Sequence, residues 1–232
     1  MDKYNTRATI EDTGFFDTFI TTTKDGKKKL GIRFYRWLVV IFVHLLFIFS
    51  YYIDLQMLEG DLSGSRFLGF HLTDPFMTLQ VFASTHHIPV NLLIGTLTIV
   101  VVYMLVGGRA YCSWVCPYTI LGEISEKLHR YLKRKKIIKS YKFNPKIKYI
   151  FWGIFLFLSF LSGYLVFEII NVVGIFSRAL IYGWSVAFVF VIAIFLVDTF
   201  FSQRFWCRYV CPVGTTYGFI GWASTTKIVW DD

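Results

Sequence analysis

Four long stretches without a charged side chain constrain this sequence more than any other feature. They cover residues 37–53, 88–106, 149–167 and 179–197, and each contains 17 to 19 residues. A helix needs about 17–25 mostly apolar residues to cross a bilayer, because each backbone N–H and C=O group must find its partner within the segment. These stretches do not alternate at every second residue, as membrane strands do. We therefore expect an all-α membrane protein with four transmembrane helices.

The composition of the whole chain agrees with this expectation. Hydrophobic residues make up 55% of the sequence and charged residues only 17%, whereas soluble domains carry roughly 25% charged residues. The apolar content also excludes a disordered chain. Four cysteines in 232 residues are too few for a disulfide-stabilised scaffold.

The basic residues are distributed unevenly between the expected loops. Residues 1–36 contain eight Lys and Arg residues, and the loop 107–149 contains eleven, but the loop 54–87 contains one. Since basic residues mark the cytoplasmic side, we expect a multi-pass protein of the bacterial inner membrane with both termini in the cytoplasm. We divide it into a basic N-terminal tail (1–36), a four-helix membrane domain (37–201) and a cytoplasmic C-terminal segment (202–232).

We attribute the net charge of +9 to these basic cytoplasmic segments and not to a nucleic-acid-binding surface. Its densest part is the segment 133–148. Two interpretations of that segment stay open, namely contact with anionic lipid and docking of an acidic redox partner.

All four cysteines lie in two copies of one motif, separated by 95 residues. The first copy reads RAYCSWVCP from Arg109, and the second reads RFWCRYVCP from Arg204. Each copy follows an even-numbered expected span. We infer a duplicated helix hairpin, which places both cysteine pairs on the same, cytoplasmic side of the membrane.

The residue types in this motif favour a centre that binds a soft metal. The proline after each second cysteine suits a first helical turn, and free amides at a helix start lower the pKa of a thiol. We expect supporting positive charge from Arg109, Arg204 and Arg208. An iron–sulfur cluster is the favoured occupant, while a thiol relay, zinc or copper(I), and plain packing stay open. The proposed ligands are Cys112, Cys116, Cys207 and Cys211.

Further stretches extend the motif into a family resemblance that covers about residues 30–230. They are LTDPFMTLQ at 72–80, FLVD at 195–198, and the residues Ala83, Ser84, Glu168 and Arg178. With the two cysteine copies, they resemble the NapH-type and NosH-type membrane quinol dehydrogenase components. The cysteine motif alone would also suit NosR-like and CcoG-like proteins.

The resemblance implies a subunit that transfers electrons from quinol to a periplasmic nitrate or nitrous-oxide reductase. It implies a 4Fe–4S cluster, quinol as the substrate, and a NapG-like or NosG-like iron–sulfur partner, with a periplasmic cytochrome or reductase beyond it. Members of the family continue into a ferredoxin module, and we expect that module to be absent here, by nature or by truncation. An accessory role in metal handling or thiol redox during reductase maturation stays open, as does a non-redox membrane anchor.

The loop 54–87 contains the residues that could accept a quinol proton. They are His86, His87 and Asp74, with His71 nearby in the sequence; histidine is well suited to this role near neutral pH. The alternative is that the histidines only anchor a helix end at the interface. His44 is the only histidine inside an expected span, so we predict no intrinsic haem.

The same loop is expected to contain a short amphipathic helix. Asp74 can cap its free amides, and Pro75 suits its first position. The helix would run over 76–84 and lie on the outer membrane surface, with Phe76, Leu79, Gln80 and Ala83 on one face.

Overall fold

The fold is described by a computed structural model, which places most of the chain in helices. The predicted N-terminal tail lies mostly outside the described residues, as do parts of the basic segment 133–148 and the last seven residues. The described residues are 20–22, 28–53, 58–60, 64–67, 70–138, 141, 143–183 and 186–225.

The helices follow one another in an order that repeats once. The elements of the first half are α1 (Ile32–Ile53), α2 (Pro75–Thr85), α3 (Val90–Val106), the π-helical turn π1 (Tyr111–Val115) and α4 (Tyr118–Arg134). The elements of the second half are α5 (Ile147–Ser162), α6 (Val166–Ile170), α7 (Val172–Tyr182), α8 (Phe188–Phe200), the π-helical turn π2 (Trp206–Val210) and α9 (Pro212–Trp222).

In the described part of the chain, two small antiparallel sheets accompany the helices, and the sequence predicted neither. Strand β1 (Ile20–Thr22) pairs with β2 (Lys28–Leu30) ahead of α1. Strands β3 (Leu58–Gly60), β4 (Gly64–Phe67) and β5 (Phe70–Thr73) form a meander in the connection between α1 and α2. The all-α expectation is therefore correct only for the main body of the fold.

Among the described helices, only α1 is both long and apolar enough to cross a membrane by itself. The helices α3, α5, α7 and α8 are apolar but shorter. Two of the expected spans contain breaks. Helix α5 ends before Gly163, whose φ is 68°, and Gly183, with a φ of 96°, separates α7 from α8. Hydropathy does not reveal these breaks, because the residues on both sides of each glycine are apolar.

The two halves interlock rather than stand side by side. Helix α2 of the first half packs against α5 and α9 of the second, and α7 packs correspondingly against α1 and α4. Helices α4 and α8 form another contact between the halves, which α9 and α3 mirror. Neither half therefore encloses its own core, and the ends of α3 and α8 that carry the cysteine turns are held together by helices from both halves.

The predicted position of α2 on the membrane surface is wrong, although the helix itself exists. Its buried residues are Pro75, Phe76, Thr78 and Gln80, and the ring of Phe76 packs against Trp152 and Phe167. Thr78 shares a hydrogen bond with a threonine of α3. The buried side of α2 therefore carries both an aromatic ring and polar groups. Both kinds of group find partners inside the bundle, where α2 packs among α3, α5 and α9.

The close packing of α9 on the end of α3 depends on a glycine. A Cβ atom at Gly108 would overlap the carbonyl oxygen of Tyr217 and the amide nitrogen of Gly221. Both are backbone atoms, which cannot rotate away. A side chain at this position would have to push α9 away from the first cysteine turn.

We predict that Gly108→Ala destabilises the protein by about 1–3 kcal/mol, the usual cost of overpacking. Gly122→Ala is the matched control, because a Cβ atom there meets nothing within 4 Å, and alanine is favoured over glycine in a helix by up to about 1 kcal/mol. Thermal unfolding in detergent measures both variants. Equal melting temperatures for Gly108→Ala and the wild type would contradict the close approach.

Candidate metal centre

Both cysteine pairs lie on single π-helical turns of the same construction. The amide of Cys116 donates to the carbonyl of Tyr111 over 3.1 Å, and the amide of Cys211 donates to the carbonyl of Trp206 over 2.9 Å. Each first cysteine is therefore inside a widened turn, and each second cysteine closes it in an extended conformation. Such π turns occur frequently at functional sites. Here they account for the three-residue spacing within each pair.

The structure brings the four cysteines into one neighbourhood. In each of the six possible pairs, a charge on one thiol raises the pKa of the other. Cys116 and Cys211 are buried, and Cys112 is half-buried. Cys207 is exposed as a residue, but its thiol is surrounded by protein. The halves also touch here, since a Cβ atom at Gly214 of α9 would lie 3.8 Å from the sulfur of Cys112.

The predicted lowering of the thiol pKa values is wrong for the free thiols. Burial raises the pKa of Cys116 to about 11 and that of Cys211 to about 12. Burial and the neighbouring thiols raise the pKa values of Cys112 and Cys207 well above the ordinary value. Desolvation of the charged form is larger here than any favourable charge.

Two of the three arginines that were expected to lower these pKa values act only weakly or elsewhere. Arg109 lowers the pKa of Cys112, but its effect is smaller than that of burial. Arg204 forms an ion pair of 2.7 Å with Glu126 and a longer one with Glu123. The positive charge of Arg204 is thus largely balanced by these two carboxylates of α4.

The expected helix-start amides are present at the second cysteine of each pair. Amides of Tyr118 and Thr119 approach the sulfur of Cys116 and lower its pKa. Amides of Val213 and Gly214 do the same for Cys211. Hydrogen bonds of this kind to sulfur tune the reduction potential of an iron–sulfur centre.

An iron–sulfur cluster fits this donor set better than a single metal ion does. Among the described residues, no three His, Cys, Asp or Glu side chains are close enough together to bind one ion. A four-iron cluster is larger than an ion, and its ligands stand correspondingly further apart. Four neighbouring thiols, with amides aimed at two of them, suit such a cluster. Since the free thiols hold their protons, binding would release them.

A buried carboxylate joins the two cysteine segments. Asp198 at the end of α8 accepts a hydrogen bond of 2.8 Å from the hydroxyl of Tyr118, two residues after Cys116. Its other oxygen accepts one of 3.0 Å from the amide of Trp206, directly before Cys207. The carboxylate of Asp198 is thus held by one hydroxyl and one backbone amide.

The residues expected to accept quinol protons are not brought together. Asp74 precedes α2, while His86 and His87 follow it, so about 16 Å of helix separates them at the usual rise of 1.5 Å per residue. Both histidines are exposed, and His86 contacts the ring of Phe160 at the far end of α5. The side chain of His71 lies outside the described residues.

Asp74 instead lies near the cysteines, among tyrosines that the sequence reasoning did not identify. The hydroxyl of Tyr217 approaches its carboxyl, and the ring of Tyr217 stacks on Tyr111 at 4.6 Å and meets Tyr103 at 5.0 Å. Burial and the charge of Glu168 raise the pKa of Asp74 to about 7. The charge of Asp74 in turn raises the pKa values of Cys112 and Cys211.

Two ion pairs lie further along the helices. Glu168 and Arg178 form one of 3.1 Å. The nearly buried Glu123 of α4 was not identified from the sequence. It binds Arg36 over 3.0 Å and the indole N–H of Trp37 over 2.9 Å, and thereby ties the start of α1 to the helix that follows the first cysteine turn.

Comparison with known proteins identifies the class to which this fold and cysteine centre belong. A 4Fe–4S binding domain family matches residues 88–137 and 182–229, and both matched segments contain one cysteine turn. No solved structure matches the chain.

The relatives of the chain are ferredoxin-type proteins. It is 35% identical to NapH of Escherichia coli, over 84% of this chain and 69% of the relative, and 31% identical to NapH of Haemophilus influenzae, over 88% and 73%. It is also 35% identical to the methylamine utilization protein MauN of Methylorubrum extorquens, over 74% of this chain and 59% of the relative. The chain belongs to this NapH/MauN family, which confirms the NapH resemblance; MauN was not anticipated.

We predict that Asp198→Ala lowers both iron content and stability, because it leaves the buried hydroxyl of Tyr118 and the amide of Trp206 without acceptors, at about 1–3 kcal/mol each. Asp198→Asn retains a carbonyl acceptor and should keep most of the iron. Tyr118→Phe, which removes one hydrogen bond, should lie between them. Iron per protein and thermal unfolding provide the measurements, and full iron in Asp198→Ala would show that the carboxylate does not organise the centre.

We also predict that the cysteines of the metal-free protein react slowly with iodoacetamide. A pKa raised from 9.0 to about 11 reduces the thiolate fraction at pH 8 about a hundredfold, and the rate should climb with pH up to about 11. A cysteine introduced at the exposed Lys133 serves as the reference thiol. Mass spectrometry of the alkylated peptides gives the rates, and comparable rates at pH 8 would show that the raised pKa values are incorrect.

Proposed function

We propose that this protein oxidises quinol in the bacterial inner membrane and transfers the electrons to a periplasmic nitrate or nitrous-oxide reductase. The electrons would pass through a 4Fe–4S cluster bound by Cys112, Cys116, Cys207 and Cys211, and then through a NapG-like or NosG-like iron–sulfur partner. The observation that carries the proposal is the convergence of two duplicated cysteine turns within segments that match a 4Fe–4S binding domain.

The surface of the helices supports a multi-pass membrane position. Besides α1, the helices α3, α5 and α8 expose many large apolar side chains, for example Leu97, Phe157 and Val189, each of which is at least 60% exposed. Such a surface is unfavourable in water but suits lipid. With the basic residues concentrated in 1–36 and 107–149, both termini and the cysteine centre would face the cytoplasm.

The chain's own residues would prepare the centre for one-electron transfer. When bound, the cluster supplies a site that accepts and releases single electrons. The amides at the starts of α4 and α9 stabilise the negative charge on the sulfurs of Cys116 and Cys211. The Asp198 carboxylate fixes the two turns relative to each other, and the surrounding aromatic rings exclude water.

A thiol relay for reductase maturation is the alternative, and the structure disfavours it. Thiol–disulfide exchange requires a thiolate, but all four pKa values are raised. The similarity to MauN, a methylamine utilization protein, is equally compatible with a terminal electron acceptor outside nitrate and nitrous-oxide reduction.

The test uses protein purified without oxygen and reduced by a short-chain menaquinol. We expect a low-temperature EPR signal of a reduced 4Fe–4S cluster, and the same signal with dithionite. Cys116→Ser should abolish both signals, whereas Ser224→Ala, at the end of α9, should retain them. A cluster that dithionite reduces but quinol does not would exclude quinol as the donor. A protein that contains zinc or copper in place of iron would exclude the cluster.

The proposed orientation predicts which positions react with a membrane-impermeant maleimide in intact cells. A cysteine introduced at Thr85, at the exposed end of α2, should be labelled from outside. One introduced at Lys133, at the end of α4, should be labelled only after the membrane is opened. Labelling of Lys133→Cys in intact cells would contradict the orientation.

A further inference from the structure

We propose that the quinol head group binds and loses its protons at a buried polar cluster of Asp74, Tyr217 and Tyr103, beside the cysteine centre, and not at His86 and His87. This inference rests on the proposed function, since it places the site of that same quinol oxidation. The distance between Asp74 and the histidines along α2 makes the two locations experimentally separable.

The carboxyl of Asp74 has an acceptor oxygen without a partner. The residue is only 9% exposed, and its Oδ1 atom has no hydrogen-bond partner among the described residues. A buried acceptor without a partner is costly, at about 1–3 kcal/mol. The amides of Phe76 and Met77 approach the carboxyl of Asp74, but no side-chain capping hydrogen bond to α2 is formed. A quinol hydroxyl is a donor of the kind that this oxygen requires.

The tyrosines around Asp74 give the cluster a flat aromatic wall and a polar edge. Tyr111 and Tyr217 stack with an interplanar angle of 17°, and Tyr103 meets both edge-on. The stacked pair is buried, whereas Tyr103 of α3 and Met77 of α2 are half-buried. The cluster is therefore not sealed on the side of these two residues, where α3 exposes apolar side chains to its surroundings.

The location beside the cysteines shortens the electron step from quinol to the cluster. Electron transfer slows steeply with distance, and His86 lies at the end of α2 that points away from the cysteines. Asp74 and Cys112 are near enough for the charge of one to raise the pKa of the other, and Tyr111 is adjacent to Cys112 in the chain. A quinol at Asp74 would therefore reduce the cluster in one short electron step, whereas a quinol at His86 would have to do so across most of the membrane.

The acid–base properties of Asp74 also suit the reaction. Its pKa of about 7 is close to the operating pH, which is favourable for a general base. Oxidation of one quinol to quinone releases two electrons and two protons. The electrons would leave singly to the cluster and then to the partner's iron–sulfur centre. Asp74 would accept one proton from each hydroxyl in turn and release the first before it accepts the second.

The experiment compares quinol and dithionite as reductants of the holoprotein. Asp74→Asn and Tyr217→Phe should slow quinol-dependent reduction of the cluster at least about tenfold and leave reduction by dithionite unchanged. The double variant His86→Ala/His87→Ala should reduce at the wild-type rate with both. Thr78→Val, on the same buried side of α2, controls for disturbed packing and should also behave as the wild type.

Binding of a short-chain menaquinone to the oxidised holoprotein gives a readout that does not depend on turnover. Titration calorimetry should show about tenfold weaker binding for Tyr217→Phe and Asp74→Asn, and unchanged binding for the histidine variant. Loss of quinol oxidation in the histidine variant, with normal oxidation in Asp74→Asn, would overturn this inference while the proposed function stands. A wild-type protein that quinol does not reduce would refute the proposed function itself.

Discussion

The hydrogen bonds of Asp198 are the interaction on which the cysteine centre depends. One fully buried carboxylate receives the hydroxyl of Tyr118 from the first cysteine segment and the amide of Trp206 from the second. Apolar packing between helices is not directional, so by itself it would leave the two cysteine pairs free to shift relative to each other. The shared acceptor removes that freedom, because losing either donor leaves a polar group buried without a partner. The interlocked packing of α4 on α8 holds the same two segments from outside.

The sequence predicted those elements that a repeated motif or a long apolar stretch marks. The doubled motif identified the four cysteines and the family, and the charge-free stretches located α1, α3 and much of α5 and α8. Pro75 marked the start of α2, but the position of that helix depended on packing against α5 and α9, which no local pattern records. The π turns were equally invisible, since one additional residue per turn leaves no periodicity to detect. The raised thiol pKa values follow from burial, which charges counted along the sequence cannot reveal.

The two halves differ at the residue that precedes α2 in the first half and α7 in the second. Helices α2 and α7 occupy corresponding positions, and each begins after a short polar residue, Asp74 or Asn171. Asn171 satisfies its side chain locally: its oxygen accepts from the amide of Val173 and its nitrogen donates to Glu168, both over 3.2 Å. It is a conventional helix cap.

Asp74 departs from that arrangement. Its carboxyl forms no side-chain capping hydrogen bond and keeps Oδ1 without a partner among the described residues. The amides of Phe76 and Met77 approach it, and so does the hydroxyl of Tyr217. A fold that stabilises one copy of this position with a complete cap does not need the other copy to be strained for stability. This contrast supports the proposal that Asp74 binds a ligand, because incompletely paired polar groups recur at active sites. In that proposal, one of the two corresponding positions caps its helix, and the other contributes chemistry beside the cysteines.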